Sequence, residues 1–391
     1  PGLGTKSEEK IAASIELLGI HGADSRTPIF DAMAIARRIV ADLGASGLCA
    51  TVDYAGSLRR LEETIGDVDI LAVSDVPAEV MAMFVGMPGV TAVLGSGTTK
   101  ASVVMDDVIQ VDLRVVEESA FGAALMYFTG SKTHNIELRQ RSLERGWTLN
   151  EYSLSVVESG RVVASRTEEE IYAALDLPWI TPEVREGAGE ITAALDARLP
   201  QPLTVEDIRG DLHVHTTWSG DGRSTMTEML DAVHARGLEY VAVTDHAEDL
   251  AINGLSRDEV LAERVELERQ RERFDDLEIL HGAELNIGTD GSIDYDDEFL
   301  EVFDFGVASI HSHFDLSQVE QTNRLLAAIA HRAVNVIGHP SGRKIGHRPG
   351  VDFDASAVFS AAAETGTAIE INSHLHRLDL AAPLIRRAME V

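Results

Sequence analysis

Polar and apolar residues alternate along two short stretches in the first half of the chain. In "DVDILAV" (67–73), Asp67 and Asp69 share one face of an extended segment and the apolar residues between them share the other. "DDVIQVDLRVV" (106–116) repeats the pattern, with Asp112 on the polar face. Because successive side chains of a strand point to opposite faces, both stretches predict strands. If the two strands are neighbours, three carboxylates converge.

Apolar runs in the second half end in polar residues of the metal-ligand type. Helical patterns such as "TMTEMLDAVHARGL" separate most of these runs. The runs are "GDLHVH" (210–215), "YVAVTDH" (240–246), "ILHGAEL" (279–285), "FGVASIHSH" (305–313), "AVNVIGHP" (333–340) and "AIEINSH" (368–374). Alternating strands and helices predict a parallel sheet. Ligands at the carboxyl ends of successive strands predict a barrel with its site at that face.

The distribution of histidine divides the chain into two parts. Of the 14 histidines, only His21 and His134 precede residue 209. The stretch "AALDARLPQPLTVEDIRG" (193–210) carries two prolines and interrupts the helical period, so we expect the domain boundary there. Imidazole together with carboxylate suits Zn²⁺, Mn²⁺ or Fe²⁺, which makes the second part a candidate metal domain.

Composition narrows the classes of function. The 391 residues include 65 acidic and 33 basic ones, which gives a net charge of −32. Non-specific affinity for nucleic acid comes from Lys and Arg, so any DNA contact must come from local basic patches, helix N-termini or bound cations.

Cys49 is the single cysteine, which excludes an internal disulfide and fits the cytoplasm. No apolar run reaches the roughly 20 residues of a membrane span, and we see no signal peptide; we expect the chain to be a fragment at both ends.

The chemistry of the first half depends on what precedes its paired carboxylates. An isolated Asp-x-Asp is ordinarily a pair of solvated acids at a strand edge. Here "AGSLRR" (55–60) comes just before the pair, and it predicts a Gly-Ser turn followed by guanidinium groups. Turn amides and arginines suit phosphate oxygens. Carboxylates that hold Mg²⁺ beside such a turn are the layout for phosphoryl or nucleotidyl transfer.

Three separated motifs then resemble one known family. "GSLRRLEETIGDVDIL", "VDLR" and "YFTGSKTHNIELRQRSLERGWTLNEYSL" occur in the order of the palm and thumb of a family X DNA polymerase, over roughly residues 50 to 155. The resemblance implies that Asp67, Asp69 and Asp112 hold two catalytic Mg²⁺ or Mn²⁺ ions. It also implies nucleotide-binding roles, for the triphosphate (Gly56, Ser57, Arg60), beneath the sugar and base (Tyr127, Phe128, Gly130) and facing the nucleotide and the template strand (Asn135, Arg139). "PGLGTKSEEKIAASIELL" (1–18) resembles a helix-hairpin-helix that presents backbone N–H groups to DNA phosphate.

The second half resembles another domain that such polymerases often carry. "DLHVHTTWSGDG", "TDH" and "GHP" are similar to the motifs of a PHP (polymerase and histidinol phosphatase) domain. The resemblance implies a cluster of up to three Mn²⁺, Zn²⁺ or Fe²⁺ ions, with the ligands His213, His215, Asp221, His246, Glu284, His311 and His339. It leaves secondary candidates: His313 as a weaker ligand, Asp245 as an acceptor behind an imidazole, and His374 and His376 at the mouth. We assign structural or solvated roles to His234, His281 and His331.

The predicted fold is a multi-domain α/β chain. A nucleotidyltransferase-type α+β palm with a small thumb precedes a distorted (β/α)7 PHP barrel. The expected domains are a helix-hairpin-helix remnant (1–26), palm (27–128), thumb (129–192), linker (193–208) and a C-terminally incomplete PHP domain (209–391). The family ends this barrel with a late Asp-x-His pair, which does not follow "EINSHLHRLDL". We therefore expect weak or no 3′-phosphoesterase activity from this chain, with the polymerase site retained.

The resemblance implies a two-headed DNA repair enzyme. The palm would add nucleotides from dNTPs to primer 3′ ends in gapped or primed DNA, and the barrel would hydrolyse phosphoesters at DNA 3′ ends as a 3′-5′ exonuclease. We expect a cytoplasmic monomer with no membrane contact. One alternative is a stand-alone PHP phosphoesterase whose inactive polymerase half docks DNA, although retention of all three acids argues against it. A second alternative, a non-catalytic scaffold, requires both metal sites to be accidental.

Overall fold

The structure is a computed structural model that describes residues 26–250 and 252–391. The chain divides into two compact units between Pro202 and Leu203. The hairpin predicted at residues 1–18 lies outside the described residues. No helix in the described ranges is long and apolar enough to cross a membrane.

The first unit begins with a five-stranded sheet and its helices. These elements are β1 (Thr27–Pro28), α1 (Ile29–Ala45), β2 (Thr51–Tyr54), α2 (Gly56–Arg59), β3 (Thr64–Ile65), β4 (Asp67–Val73), α3 (Pro77–Val85), β5 (Val90–Ser96), β6 (Lys100–Met105) and β7 (Ile109–Val116). The sheet has the strand order β2-β4-β7-β6-β5, while β1 and β3 form a separate pair. The alternation in "DVDILAV" does form a strand, whose residues Val68 and Ile70 are fully buried. The predicted Gly-Ser turn is the start of the one-turn helix α2.

The arginine-rich stretch forms the second part of this unit. After a 3₁₀ turn (Glu118–Ala120) come α4 (Phe121–Thr129), α5 (Lys132–Leu143), β8 (Trp147–Leu149), β9 (Leu154–Val156), β10 (Val162–Ala164), α6 (Glu168–Ala174), a 3₁₀ turn (Pro182–Val184) and α7 (Glu190–Leu195). The strand order is β10-β9-β8. Helix α5 begins after Ser131, whose hydroxyl accepts a hydrogen bond from the His134 amide at 3.3 Å. Its Leu138 packs in a core with Ile171 and Tyr172 of α6.

The second unit is a parallel sheet flanked by helices. Its elements are a 3₁₀ turn (Val205–Asp207), β11 (Gly210–Val214), α8 (Met226–Ala235), β12 (Tyr240–Val243), α9 (Arg257–Arg271), β13 (Glu278–Asn286), a 3₁₀ turn (Phe299–Val302), β14 (Phe305–Ser309), α10 (Gln318–Ile329), β15 (Val336–Gly338), α11 (Ala355–Thr365), β16 (Ala368–Ile369) and α12 (Ala382–Ala388). All six strands lie in chain order and pair in parallel.

The parallel sheet curls back on itself. The first strand carries His213 and the last is followed by Glu370, and His213 Nδ1 lies 2.7 Å from Glu370 Oε1. The carboxyl ends of β11 and β16 therefore meet across the mouth of a curled sheet. This half-barrel of six described strands, in place of the seven expected, fits the predicted PHP barrel and the predicted α/β class.

Candidate active sites

Three carboxylates meet at the centre of the five-stranded sheet. Strands β4 and β7 are parallel neighbours, and their register places Asp69 opposite Asp112 and Asp67 opposite Gln110. Burial, and then the charges of Asp67 and Asp112, raise the pKa of Asp69 to about 7. Burial and the charge of Asp112 also raise the pKa of Asp67. Such a group favours a cation, because like charges at this spacing cannot all ionise unassisted.

Lys100 partly neutralises these acids. Its ammonium lies 2.8 Å from Asp112 Oδ2, and the Gln110 side chain donates to Asp112 Oδ1 at 2.8 Å. Burial acts to raise the pKa of Asp112, but the hydrogen bonds from Lys100 and Gln110 lower it on balance. Lys100 and Gln110 had no predicted role, because neither belongs to a motif that the sequence marks as functional.

The backbone of α2 approaches the acids closely. Gly56 has a φ of +65°, and a Cβ at this position would lie 2.7 Å from Asp69 Oδ2. Both the conformation and the contact therefore favour glycine. The cradle between α2 and β4 leaves room for a bound ion or phosphate only if this position has no side chain. Three carboxylates fit two divalent ions of the Mg²⁺ type, and the Gly56 amide beside them suits a phosphate oxygen.

Most residues of the predicted nucleotide site line one cavity of about 590 Å³. The predicted residues among its walls are Gly56, Ser57, Arg60, Asp67, Asp69, Tyr127, Phe128, Gly130, Asn135 and Arg139. Asp112 is not among the lining residues, but it adjoins Asp69 in the sheet. The walls also include Lys132 and Ile136, which had no predicted role. The sequence pattern and the structure thus bring the same set of side chains together.

The contacts of these residues show how the cavity wall is held. The Asn135 side-chain amide donates to the Tyr127 carbonyl at 2.8 Å, and its Oδ1 is buried with no hydrogen-bond partner. The Arg139 guanidinium lies over the Tyr127 ring, 5.3 Å from the centroid. Arg60 donates to the Thr129 carbonyl at 2.6 Å and forms an ion pair with Glu186 at 2.5 Å. Arg60 therefore belongs to the wall, although in this state its charge is paired with Glu186.

In the second unit, five imidazoles contact one buried carboxylate. Glu284 lies in β13 and is 1% exposed. Its Oε1 lies 2.8 Å from His339 Nε2 and 3.0 Å from His311 Nε2. The remaining contacts are with Oε2: His246 Nδ1 at 3.0 Å, His215 Nε2 at 3.2 Å and His213 Nε2 at 3.2 Å. Each histidine follows or ends a different strand, apart from His213 and His215, which share β11 and its extension.

This histidine cluster fits metal ions by its geometry and its chemistry. Two groups of three ligands have donor atoms within 4.8 Å of one another, namely His213, Glu284 and His339, and His215, His246 and Glu284. The Nδ1 atom of His339 is buried without a hydrogen-bond partner. Burial acts to raise the pKa of Glu284, but the charge of His213 and hydrogen bonds from the imidazoles hold it well below its usual range. Imidazole and carboxylate donors suit Zn²⁺, Mn²⁺ or Fe²⁺.

Two residues behind the ligands were missed in the sequence. Glu370 Oε1 lies 2.7 Å from His213 Nδ1, and Asn286 Oδ1 lies 2.7 Å from His311 Nδ1. Asn286 in turn donates to the buried carboxylate of Asp294 at 3.1 Å. Such outer partners fix the tautomer and the orientation of an imidazole ligand. Asn286 directly follows the run "ILHGAEL" and Glu370 lies within the run "AIEINSH", so polar residues at these strand ends are the signal that could have found them.

The proposed ligand Asp221 and the secondary candidate Asp245 differ in their placement. Asp221 contacts His246 Nε2 at 3.0 Å, and this hydrogen bond lowers the pKa of Asp221. Asp245 accepts hydrogen bonds from Thr216 and Ser219 and lies 4.0 Å from His215, so it holds a loop rather than an imidazole.

The other histidines separate into two groups. A cavity of about 690 Å³ contains the metal-ligand candidates, and His374 and His376 line it as expected. His313 is exposed and is not among the residues that line this cavity. The three histidines with predicted structural or solvated roles contact carboxylates elsewhere: His234 with Asp276 at 3.0 Å, His281 with Glu263 at 3.2 Å and His331 with Asp297 at 3.2 Å.

Comparison with known proteins identifies the class of each half. A family model described as DNA polymerase beta thumb matches residues 124–186, and a model described as PHP domain matches residues 211–374. The fold and the two sites thus define an enzyme in which a polymerase-type nucleotidyltransferase is joined to a metal-dependent phosphoesterase.

The chain belongs to the family X DNA polymerases that carry a PHP domain. It is 39% identical over 393 residues to the DNA polymerase/3′-5′ exonuclease PolX of Bacillus subtilis (strain 168), a match that covers 100% of this chain and 68% of that protein. It is also 33% identical over 166 residues to a probable phosphatase of Photobacterium profundum, which covers 42% of this chain and 63% of that protein. A probable phosphatase of Syntrophotalea carbinolica is 32% identical over 167 residues, which covers 42% of this chain and 65% of that protein. The resemblance inferred from the motifs is confirmed for both halves.

Proposed function

We propose that this chain is a DNA repair enzyme that extends primer 3′ ends in short gaps and hydrolyses phosphodiesters at DNA 3′ ends. The convergence of Asp67, Asp69 and Asp112 beside a cavity of about 590 Å³ carries the first activity. The five imidazoles around Glu284 carry the second. The name of the Bacillus subtilis relative, a polymerase and 3′-5′ exonuclease, supports both.

In nucleotidyl transfer, the chain's residues bind and align the reactants. Asp67, Asp69 and Asp112 would hold two Mg²⁺ or Mn²⁺ ions, which supply charge neutralisation at the entering and leaving oxygens. The amide of Gly56, the hydroxyl of Ser57 and the guanidinium of Arg60 would bind the triphosphate of a dNTP. The primer 3′ oxygen forms a bond to the α-phosphorus, and the bond to the bridging oxygen breaks, so that pyrophosphate leaves.

The other cavity residues would position the nucleotide. Tyr127, Phe128 and Gly130 would lie under its sugar and base, while Asn135 and Arg139 would face the nucleotide and the template strand. The Arg139 guanidinium already lies over the Tyr127 ring. Because Arg60 pairs with Glu186, binding of the triphosphate would have to compete with that carboxylate.

In hydrolysis, the residues of the second unit would hold the metal ions and orient the imidazole ligands. His213, His215, Asp221, His246, Glu284, His311 and His339 would hold a cluster of Mn²⁺, Zn²⁺ or Fe²⁺. When bound, the ions supply Lewis-acid activation of the phosphodiester and of water. Glu370 and Asn286 would hold His213 and His311 in place. Water oxygen forms a bond to phosphorus and the bond to the 3′ oxygen of the preceding nucleotide breaks, so that a nucleoside 5′-monophosphate leaves.

The finer assignments are also proposals. We propose the domain boundaries 1–26, 27–128, 129–192, 193–208 and 209–391 for helix-hairpin-helix, palm, thumb, linker and PHP domain. The chain would act as a cytoplasmic monomer on gapped or primed DNA. The single cysteine and the absence of a long apolar run from the sequence support this location. The weak 3′-phosphoesterase activity expected from the sequence stays a prediction.

Primer extension tests the first activity. Asp112→Ala should lower the rate of gapped-primer extension with dNTP and Mg²⁺ at least about a hundredfold, since even partners behind a metal ligand contribute 10–100-fold. Circular dichroism should show an intact fold. Asp107→Asn is the matched control, because Asp107 is an exposed carboxylate at the β6–β7 turn. Extension by Asp112→Ala near the parent rate would remove the palm assignment and favour a docking role for this half.

A further inference from the structure

Basic side chains form one wall of the cavity that holds the histidine cluster. Beyond the proposed metal ligands, the residues with basic side chains that line it are Lys344, His347, His374, His376 and Arg377. We call the pair Lys344 and Arg377 the cationic rim. The chain has a net charge of −32. Two fixed positive charges beside a metal-binding site therefore stand out against an acidic background.

Two loops are bound together to make this rim. Lys344 lies in the loop after β15, and Arg377 lies in the loop after β16. The amide of Ile345 donates to the His376 carbonyl at 2.7 Å, and Arg343 Nε donates to the Arg377 carbonyl at 2.8 Å. The rim is thus part of a connected structure at the mouth of the half-barrel and not a pair of unrelated surface residues.

The charges of the rim are not neutralised within the described part of the chain. There, neither Lys344 nor Arg377 forms an ion pair with a carboxylate, and Arg377 Nη1 is buried without a hydrogen-bond partner. Several other long basic residues in this unit do pair with carboxylates, as Arg257 does with Asp296 at 2.7 Å. A buried, unpaired guanidinium nitrogen is costly, so an anionic ligand at the rim would offset that cost.

The electrostatic effect on His374 at the mouth of the cavity agrees with the position of the cationic rim. Burial lowers the pKa of His374, and the charges of Arg377, His376 and Lys344 lower it further. Several positive groups therefore act on one point of the cavity. A multiply charged anion that enters the cavity would meet donors on the rim as well as on the metal side. Guanidinium and ammonium groups are the side chains best suited to phosphate oxygens.

We propose that the cationic rim binds the phosphate adjacent to the one being hydrolysed, so that the histidine site selects the 3′ end of a DNA strand over an isolated phosphate group. This inference rests on the proposed hydrolytic function. Apolar surface beside the rim favours a nucleotide strand over free phosphate: Ile371 lines the same cavity and is 62% exposed, and the neighbouring Leu375 is 42% exposed. A DNA strand offers both a second phosphate for the rim and bases that would cover Ile371 and Leu375.

Hydrolysis of two substrates by the whole chain tests the rim. With Mn²⁺, we compare a single-stranded oligonucleotide with bis(4-nitrophenyl) phosphate, a diester that has no second phosphate. In Lys344→Gln and in Arg377→Gln, the ratio of kcat/KM for the oligonucleotide to kcat/KM for the small diester should fall about tenfold. This is the loss expected for one charge-assisted hydrogen bond. Lys344→Arg and Arg377→Lys should recover much of the ratio, because they keep the charge.

A control variant and a binding measurement complete the test. Arg386→Gln removes one exposed positive charge from α12 in the same unit and should keep the parent ratio. Binding of a fluorescent single-stranded oligonucleotide, measured by anisotropy against salt, should show a slope of log K against log salt shallower by about 0.7 in each rim variant. An unchanged ratio with an unchanged slope would overturn the inference, as would equal losses on both substrates.

The two proposals fail in different ways. If the parent hydrolyses neither substrate, the proposed hydrolysis falls, and the rim is then judged by the binding slope alone. A slope that changes in the rim variants and not in Arg386→Gln supports the rim in that case, and identical slopes in all variants reject it. If the parent hydrolyses both substrates and the rim variants retain its ratio and slope, the hydrolytic function stands and the rim inference is wrong.

Discussion

At the scale of single residues, the charges of the palm acids and the space beside them determine what the palm site can bind. Three carboxylates converge, and burial together with two like charges raises the pKa of Asp69 to about 7. Lys100 supplies a positive charge from the chain itself, 2.8 Å from Asp112. The space beside these acids depends on Gly56, where a methyl group would lie 2.7 Å from Asp69 Oδ2. Charge therefore attracts cations to the site, and a missing side chain admits them.

The space requirement leads to a prediction for Gly56→Ala. The residue has a φ of +65°, so alanine should cost about 1–2 kcal/mol of unfolding free energy. The new Cβ should also displace the Asp69 carboxylate, and extension of a gapped primer should fall at least about tenfold, because the bound geometry of reactants is sensitive to shifts of about 1 Å. Urea unfolding and primer extension measure the two effects.

Gly47→Ala separates strain from contact. Gly47 has a φ of +73°, but a Cβ there would have nothing within 4 Å. This variant should lose similar stability and retain extension. If both variants lost extension equally, backbone strain alone would explain the effect and the proposed contact with Asp69 would have no functional weight.

At the scale of elements, local patterns predicted the strands and missed the contacts between distant segments. The two-residue alternation identified β4 and β7, and the apolar runs identified the strands of the second unit, because these signals lie within a few residues. The pairing of Arg59 with Glu168 joins residues 109 apart, and that of His213 with Glu370 joins residues 157 apart. No local pattern marks such partners, so the sequence alone assigned Arg60 and left Arg59 and Glu370 without a role.

Among these long-range contacts, Glu168 in helix α6 has the most hydrogen-bond partners. Glu168 is 4% exposed and accepts hydrogen bonds from Arg185 at 2.6 Å and from Arg59 at 2.8 Å. Glu168→Gln leaves the buried guanidinium of Arg185 and the partly buried guanidinium of Arg59 without their counter-charge. Removing one partner of a buried ion pair costs about 3–5 kcal/mol. We expect a loss of that order in the free energy of unfolding at pH 7, measured with urea and tryptophan fluorescence.

The same network predicts a pH dependence. Burial acts to raise the pKa of Glu168, but hydrogen bonds from Arg185 and Arg59 lower it on balance from 4.5 to about 2. A depressed pKa stabilises the fold above the unfolded value and loses that stabilisation as pH falls from about 4.5 towards 2. The difference between parent and Glu168→Gln should therefore shrink from pH 7 to pH 3. Asp176→Asn, which breaks an exposed pair with Arg145, should change the free energy of unfolding little at either pH, because exposed ion pairs contribute little to stability.

At the scale of the whole molecule, the two units should respond differently to metal. The histidine cluster brings five imidazoles from β11, β12, β14 and β15 to Glu284, so ions bound there would hold the folded second unit together. Ions at 100 times their dissociation constant add about 2.7 kcal/mol. That corresponds to roughly 5–10 °C for a unit of this size. Scanning calorimetry with Mn²⁺ and then EDTA should show the transition of the second unit moving by about this amount.

Glu284→Gln is the control for the metal experiment. The substitution removes the charge that all five imidazoles approach, so the metal-dependent shift of the second unit should vanish while the transition of the first unit behaves as in the parent. A parent protein whose two transitions both ignored Mn²⁺ and EDTA would contradict the assignment of the cluster as a metal site.

The net charge of the chain limits how strongly this protein binds DNA. A chain with a charge of −32 repels the phosphate backbone, so attraction must come from local groups such as Lys132 and Arg139 in the nucleotide cavity and from bound divalent ions. Each phosphate neutralised on duplex DNA contributes about −0.9 to the slope of log K against log salt. We therefore expect weak binding without divalent ions and, with Mg²⁺, a slope shallower than roughly −6. Arg139→Gln should make that slope shallower by about 0.9 if the guanidinium contacts a backbone phosphate. Tight binding in EDTA, or a steeper slope than this limit, would mean that a broad basic surface exists despite the composition.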